Sequence, residues 1–519
     1  MKTRALLRFA FVALAAAAAR AATAEAPVVM MSPYEVTADS IKFEKWVKIA
    51  SPNYTLYTDA EPKEALAIAR EMEMLHVAVQ RFFRREAMRS APAIVVMPTS
   101  RSDWRQVESK GLKVEWRVAV SQTDGRAVDV ITEQHNWQLW GREVMRAALG
   151  RREMRRMNLR GPFWFGRGVG TFFQTAEFQG ETVILGEQHS RTTALLLRGW
   201  IPWERFFKID GSSPEFTDRG QVARLDGQCA AFIQYALTHP DPAWFDRLLR
   251  WAALQEAGRE PTEAAFQEIF GQDWKTWQKT MEDHRRNRRK HHVSTLRVPP
   301  EDMGAAPVRV DLPVREMREL FVLSQILNQR VPASERALDA LLAKGVKSPG
   351  LRDMLIEACV LQKRWADVLR EARKQIADGS TNPAIYALAG QEMLQQRIPP
   401  IAIHARLGGA DAEEVRAWSR QAIALAPLHP GANNVFGWSE AFGPTVTAAN
   451  VAAIDERVRV VAGQFPTSDL MAALMIARWR MGEAAAARSL AIELKDSPYA
   501  NKRAKDLAEA ILRELGPGR

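Results

Sequence analysis

Up to about residue 131 short alternating or continuous apolar blocks mix with one helical stretch over 60–85, and from Asn136 onwards the apolar residues recur at helical spacing almost to the C terminus. That switch of period constrains the chain most, because strands first and helices after is the order of an α+β fold. Residues 47–57 alternate like a strand. Residues 60–85 carry Leu66, Ala69, Met72, Leu75 and Val79 on one helical face, and residues 93–97 (AIVVM) read as a buried strand. A strand pair is expected around 114–120 and 127–131, with Asp124-Gly125 as its hairpin turn. Helices follow to about Arg288, interrupted by one strand at 182–185.

Residues 293–313 hold Pro299, Pro300, Pro307 and Pro313 with little periodicity, which marks a linker. Residues 314–519 are almost wholly helical and rich in Ala, Leu and Arg. Ala358, Trp365, Ala366, Leu369 and Ala372 precede Pro383, while Ala477, Gly482 and Ala485 precede Pro498-Tyr499. Residues 422–427 (AIALAP), leading to Asn433, have the same helix-end look. Small residues where paired helices touch, then a proline at the turn, resemble tetratricopeptide-type repeats. The stretch from Pro399-Pro400 to Gly409 interrupts them, and a plain helical bundle is the alternative.

A chain of 519 residues exceeds one ordinary core, and roughly two to four domains are expected. Lys2, Arg4 and Arg8, an apolar run over 9–19 and Ala22-Thr23-Ala24 have the layout of a secretory signal peptide over 1–24. An extended lead-in over 25–42 follows it. The apolar run is too short for a helix of about 20 residues that spans a bilayer, so an exported, periplasmic or extracellular bacterial protein without a transmembrane segment in its mature chain is expected. The formal charge is +11; without Lys2, Arg4, Arg8 and Arg20 it is 11 − 4 = +7. A basic exported protein meets acidic polysaccharide, lipid headgroups or acidic protein surfaces before nucleic acid. The densest basic run, 284–292 (HRRNRRKHH), lacks interleaved aromatics and reads as a solvated helix end rather than a nucleic-acid patch. Cys229 and Cys359 fall in different expected domains, and two cysteines make no Cys-rich zinc site.

Two segments carry the chemistry: 140–149 (WGREVMRAAL), on a helix, and 162–173 (PFWFGRGVGTFF). Here the chain resembles the gluzincin-like exported peptidases of the peptidase-MA type. That family carries His-Glu-x-x-His on one helix and Pro-x-Trp-x-x-Glu-Gly-x-Ala-x-Tyr/Phe on a second. Trp46 and 51–58 (SPNYTLYT) look like its opening strand, and 265–273 like its closing helix, so the likeness covers roughly residues 43–285. It implies a zincin-type α+β peptidase domain over 43–292, then the linker over 293–313 and a helical-repeat domain over 314–519.

In the motif, two histidines at i and i+4 on one helical face bind Zn²⁺ through neutral ring nitrogens, and the intervening Glu takes a proton from the bound water. A Glu from the second helix is the third ligand. In this chain the histidine positions hold Arg142 and Arg146, the third-ligand position holds Arg167, and only Glu143, at the general-base position, remains. A guanidinium stays protonated and offers no lone pair, so three arginines cannot hold a dication. His135 and His189 lie near in sequence, but at no spacing that puts two ligands on one face, and His291-His292 point apart. No metal and no other cofactor is expected. A non-catalytic, peptidase-shaped binding or scaffolding protein follows, with the helical repeats as a surface for a protein partner. The alternatives are a hydrolase using Glu143 and a structural cell-envelope component.

Arg142, Arg146 and Arg167 also suggest a pocket for an anionic peptide or polysaccharide, since guanidinium forks suit carboxylates. The competing expectation is a structural cluster in which Glu143 and neighbouring carboxylates such as Glu153 neutralise them; Arg151, Arg152, Arg155 and Arg156 deepen the positive field in either case. Phe163, Trp164, Phe165, Phe172 and Phe173 read as core rather than as a sugar-stacking platform. Gly166-x-Gly168-x-Gly170 is no dinucleotide signature, because no strand precedes it in the needed order.

Overall fold

The structure, a computed structural model, describes residues 45–85, 92–97, 118–120, 130–133, 137–157, 159, 161–187, 196, 199–210, 213, 219–286, 293–328, 332–462 and 468–516. The expected leader and lead-in, the Asp124-Gly125 turn, and His135, His189, His291 and His292 lie outside these residues.

Residues 47–57, expected as one strand, form a hairpin of β1 (Val47–Ala50) and β2 (Tyr54–Thr58). Pro52 and Asn53 break the alternation, and Ser51 N closes the turn on Tyr54 O at 2.9 Å. Helix α1 (Pro62–Phe83) then crosses to β3 (Ala93–Met97), which runs parallel to β2. The sheet is completed by β5 (Val130–Glu133), parallel to β3, and β4 (Val118–Val120), antiparallel to β5. All five residues of β3 are buried. Alternate side chains of a strand point to opposite faces, so an uninterrupted apolar strand means that both faces are covered. Val95 and Met97 join the core beneath α1, whereas Ile94 and Val96 join a second core built by helices beyond residue 313.

After the sheet come α2 (Trp137–Arg156), α3 (Phe163–Gln174), β6 (Glu177–Gln179) and β7 (Thr182–Leu185). Helices α4 to α8 follow (Trp203–Phe206, Arg219–Thr238, Ala243–Glu256, Glu263–Phe270 and Trp274–Arg286). Glycines let α2, α3 and α5 approach closely: a Cβ on Gly150 would lie 2.3 Å from the Phe173 ring, and one on Gly168 2.4 Å from Cys229 O. Trp164, Phe165, Phe172 and Phe173 are buried in the same core, as their helical spacing predicts. His284, Arg285 and Arg286 form the last turn of α8, where cations suit the negative helix end.

The proline-rich stretch 293–313 is no free tether. It gives β8 (Ser294–Arg297) to the sheet of β6 and β7, and β9 (Val308–Val310) to the free edge of β1. The resulting order is β4-β5-β3-β2-β1-β9. Its prolines fall between or beside the strands, where no ladder N–H is lost.

Among the described residues eleven helices follow: α9 (Val314–Asn328), α10 (Pro332–Lys344), α11 (Pro349–Leu361), α12 (Trp365–Ala377), α13 (Pro383–Arg397), α14 (Gly409–Leu425), α15 (Pro430–Ala441), α16 (Ala448–Val461), α17 (Ser468–Arg480), α18 (Ala484–Asp496) and α19 (Lys502–Glu514). The odd-numbered helices form an inner row, touching from α9 to α11 and from α13 through α15 and α17 to α19. Each even-numbered helix packs outside, on the helices before and after it. The sequence carries the distinction. Residues 383–390 of α13 and 472–477 of α17 are buried without a break, whereas α12 buries only Val368, Leu369, Ala372 and Gln375, an amphipathic stripe. Ala358, Ala372, Ala422 and Ala477 are buried at helix contacts as expected, but Ala366 and Ala485 face solvent and Trp365 is exposed. Val368 and Ala487 take the contact positions instead.

The helical region completes the core of the sheet. Trp46 meets Phe321 edge-on at 5.3 Å between ring centroids. Glu316 of α9 accepts from Lys48 Nζ (2.6 Å), Tyr57 OH (2.7 Å) and Ser348 Oγ (3.3 Å). The β1–β2 hairpin is therefore held from both faces. No helix among the described residues is long and apolar enough to cross a membrane.

Candidate functional site

Helices α1 and α2 lie side by side, and their charged residues meet in register. Arg142 donates to Glu71 Oε1 at 2.8 Å and to Glu64 Oε1 at 3.2 Å. One turn on, Arg146 Nη2 lies 3.5 Å from Glu71 Oε2, its Nη1 donates to Ala176 O at 2.6 Å, and its guanidinium stands 4.8 Å from the Phe178 ring centroid. Burial lowers the Arg146 pKa from the ordinary arginine value against the pull of Glu71. Glu143 lies between them, 3.5 Å from Gln174 Nε2 at the end of α3.

Arg167, on α3, is held separately. It clasps Asp226 of α5 through two bonds, Nε to Oδ1 at 2.5 Å and Nη2 to Oδ2 at 2.7 Å, and faces the Phe163 ring at 5.4 Å. Burial works against its charge, but the Asp226 carboxylate outweighs this and raises its pKa. A bidentate fork of this kind is the strongest arrangement open to an arginine and a carboxylate.

The structure thus brings Arg142 and Arg146 together on one carboxylate and gives Arg167 another. Of the carboxylates expected to neutralise them, Glu143 adds its charge beside Arg146, but the direct pairs are made by others. Glu71, Glu64 and Asp226 do the pairing, and Glu153 belongs to a different cluster. They also take up donors that an external anion would use. Sequence proximity favoured Glu153, whereas Glu71 lies 71 residues before Arg142 and Asp226 lies 59 residues after Arg167. Only the packing of α1 and α5 on the two motif helices joins them. A sequence signal did exist for Glu64 and Glu71, acidic residues seven apart on one face of a helix.

Glu153, two turns beyond Arg146, is fully buried. It accepts from Tyr54 OH (2.9 Å) and Arg152 Nη1 (2.6 Å), lies 2.6 Å from His76 Nδ1, and is 3.3 Å from Arg156 Nη1. Burial opposes its charge, but Arg156, His76 and Arg152 hold the carboxyl well below the usual range. Burial and the Glu153 charge raise the Tyr54 pKa. A second buried carboxylate, Glu73, secures the β1–β2 turn by accepting from Ser51 Oγ (2.7 Å), Asn53 N (2.8 Å) and Asn53 Nδ2 (2.8 Å). Sequence reading missed this network, because its members come from β2, α1 and α2.

Among the described residues no group of three His, Cys, Asp or Glu side chains is placed to hold a metal ion. Cys229 and Cys359 are free, and burial raises the pKa of both thiols, that of Cys359 to about 12. Comparison with protein-family models, with curated proteins and with solved structures gives no match to this chain.

Proposed function

We propose that this chain is an exported, non-catalytic protein of zincin-like shape that works by binding another protein, with the eleven-helix region as the contact surface. The observation that carries the reading is the chemistry at the two motif helices. Each position that matches a zinc ligand in the resembled peptidases holds an arginine, and each guanidinium is engaged by a carboxylate from a neighbouring helix. Such ion pairs stabilise the crossing of α1, α2, α3 and α5 without activating a water molecule. Glu143 alone, with no metal to lower the pKa of a bound water, is a weak base for amide hydrolysis.

The paired inner and outer helices support a tetratricopeptide-like reading of residues 314–519. Stacked helix pairs build long surfaces suited to protein contact. Export rests on the leader pattern at the N terminus. The partner surface is assigned to the helices rather than to the arginines, because an anion entering there has to displace Glu71 or Asp226.

Metal analysis of the purified protein, together with hydrolysis of a mixed peptide library, tests the proposal. The expected result is no stoichiometric zinc and no cleavage that depends on Glu143. One zinc per chain, lost in Glu143→Gln together with peptide cleavage, overturns it. The shape is tested by the triple substitution Arg142→His, Arg146→His and Arg167→Glu, which is expected to bind zinc; a triple variant that folds and takes up none removes the zincin-like reading.

A further inference from the structure

The segment between α13 and α14, residues 398–408, is an outlier among the connections of the helical region. It leaves the C-terminal end of α13 and passes the C-terminal ends of the next three inner helices before α14 begins. Leu407 N donates to Phe442 O, at the end of α15, at 2.8 Å. Arg480, the last residue of α17, donates to Ile403 O (2.7 Å), to Ala405 O and to Ala441 O (2.8 Å), with its guanidinium 4.8 Å from the Phe442 ring centroid. His404 stacks edge-on against Trp479 of α17 at 5.1 Å and lies 3.2 Å from Glu514, the last residue of α19. Arg406 donates to Pro444 O. Ile398, Ile403 and Leu407 are buried in the same core as the helices.

A stack of helix pairs is quasi-one-dimensional, in that each pair is stabilised by its neighbours and the terminal pair frays first. A segment tied to the second and third inner helices beyond its own breaks that rule. The charges fit the place. The last carbonyls of α15 lack intrahelical partners and carry the negative end of the helix dipole, and Arg480 meets one of them. Burial, with Arg406 alongside, lowers the Arg480 pKa to about 10.

We infer that residues 398–408 are a brace that joins α13 to α15, α17 and α19, so that the C-terminal half of the helical array opens as one unit rather than fraying from its end. The inference does not depend on what the array binds.

Hydrogen–deuterium exchange on the full chain, comparing wild type with Arg480→Met, tests it. Exchange is expected to quicken at least tenfold throughout 468–514, while 314–361 and the sheet strands 47–58 stay as in wild type. Unchanged exchange at 468–514, or a change confined to 398–408, overturns the brace. So does a uniform rise that includes the sheet, because that marks general destabilisation. If Arg480→Met does not fold, Arg480→Lys, which keeps the charge but not three donors in one plane, decides by the same pattern at smaller amplitude.

Discussion

Helix α2 carries two clusters of arginine and carboxylate about two turns apart, and they differ in almost everything but composition. At its outer end Arg142, with 40% of its side chain exposed, and Arg146 share Glu71, and water still reaches the pair. At its inner end Glu153 is fully buried among Tyr54, His76, Arg152 and Arg156, with Arg152 only 1% exposed. The pairs rise in step along the interface, Glu64 and Glu71 with Arg142 and Arg146, then His76 with Glu153, so the two helices run in the same sense. Seven residues along a helix return to nearly the same face about 10 Å further on. That rise separates Glu153 from the arginines it was expected to neutralise. Ion pairs of the same chemistry are therefore adjustable at one end of α2 and structural at the other, and solvent access is what divides them.

Removing the buried carboxylate is the severest way to break this comparison. Glu153→Gln leaves two buried guanidinium groups facing a neutral amide, and a loss of about 3–5 kcal/mol in unfolding free energy is expected from urea titration. A loss below about 1 kcal/mol makes the inner cluster equivalent to the outer one and ends the distinction. The carboxyl of Glu153 is held low, so its contribution is present above the unfolded pKa and is lost as pH falls through the folded one. The variant should therefore be less sensitive to acid than wild type.

Asp353 sharpens the comparison, as a buried carboxylate bonded by side-chain amides, with the Arg352 charge too weak to offset its burial. It accepts from Asn382 Nδ2 at 3.0 Å, and burial raises its pKa to about 7. The folded protein then binds the proton more tightly than the unfolded chain, so stability falls as pH rises from about 4 to about 7 and is level above that. Between pH 5 and pH 8 the shift corresponds to about 3 kcal/mol at about 1.4 kcal/mol per pKa unit. Asp353→Asn should remove this slope, seen as urea midpoints of the variant that hold steady where those of wild type decline.

Smaller effects belong to the outer cluster. Glu71→Gln leaves Arg142 and the mostly buried Arg146 without their shared partner, at an expected cost of about 1–2 kcal/mol, because one guanidinium is buried and one is not. Arg142→Ala should cost less than about 1 kcal/mol, and that difference should shrink further in 1 M salt. A cost for Arg142→Ala as large as that for Glu153→Gln contradicts the division by solvent access.

Much of the secondary structure was legible in the sequence, because it depends on local period and on prolines. Helix α1, the buried β3, the strand at 182–185 and the helices beyond residue 313 were all readable from spacing. Alternation over 47–57 predicts one strand, but Pro52 and Asn53 break it into a hairpin. The prolines of 293–313 predict a linker and hide strands β8 and β9, which are three or four residues long and find their partners more than 100 residues away, in β7 and β1. Repeat-like spacing predicts Trp365, Ala366 and Ala485 at helix contacts, but the packing turns each helix so that Val368 and Ala487 face inward.

By itself the sequence determined the chemistry of the motif positions. Arginine at 142, 146 and 167 cannot ligate zinc whatever the fold, since a permanently protonated group cannot donate a lone pair. Tertiary structure alone decided what those arginines do. Their partners lie on other helices, at Glu71 and Asp226, and only the packing of α1 and α5 brings opposite charges into contact. The same packing buried Glu153 and set the helical region against the sheet through Trp46, Tyr57 and Glu316. Charge is a property of the residue, whereas its partner and its exposure to water belong to the fold.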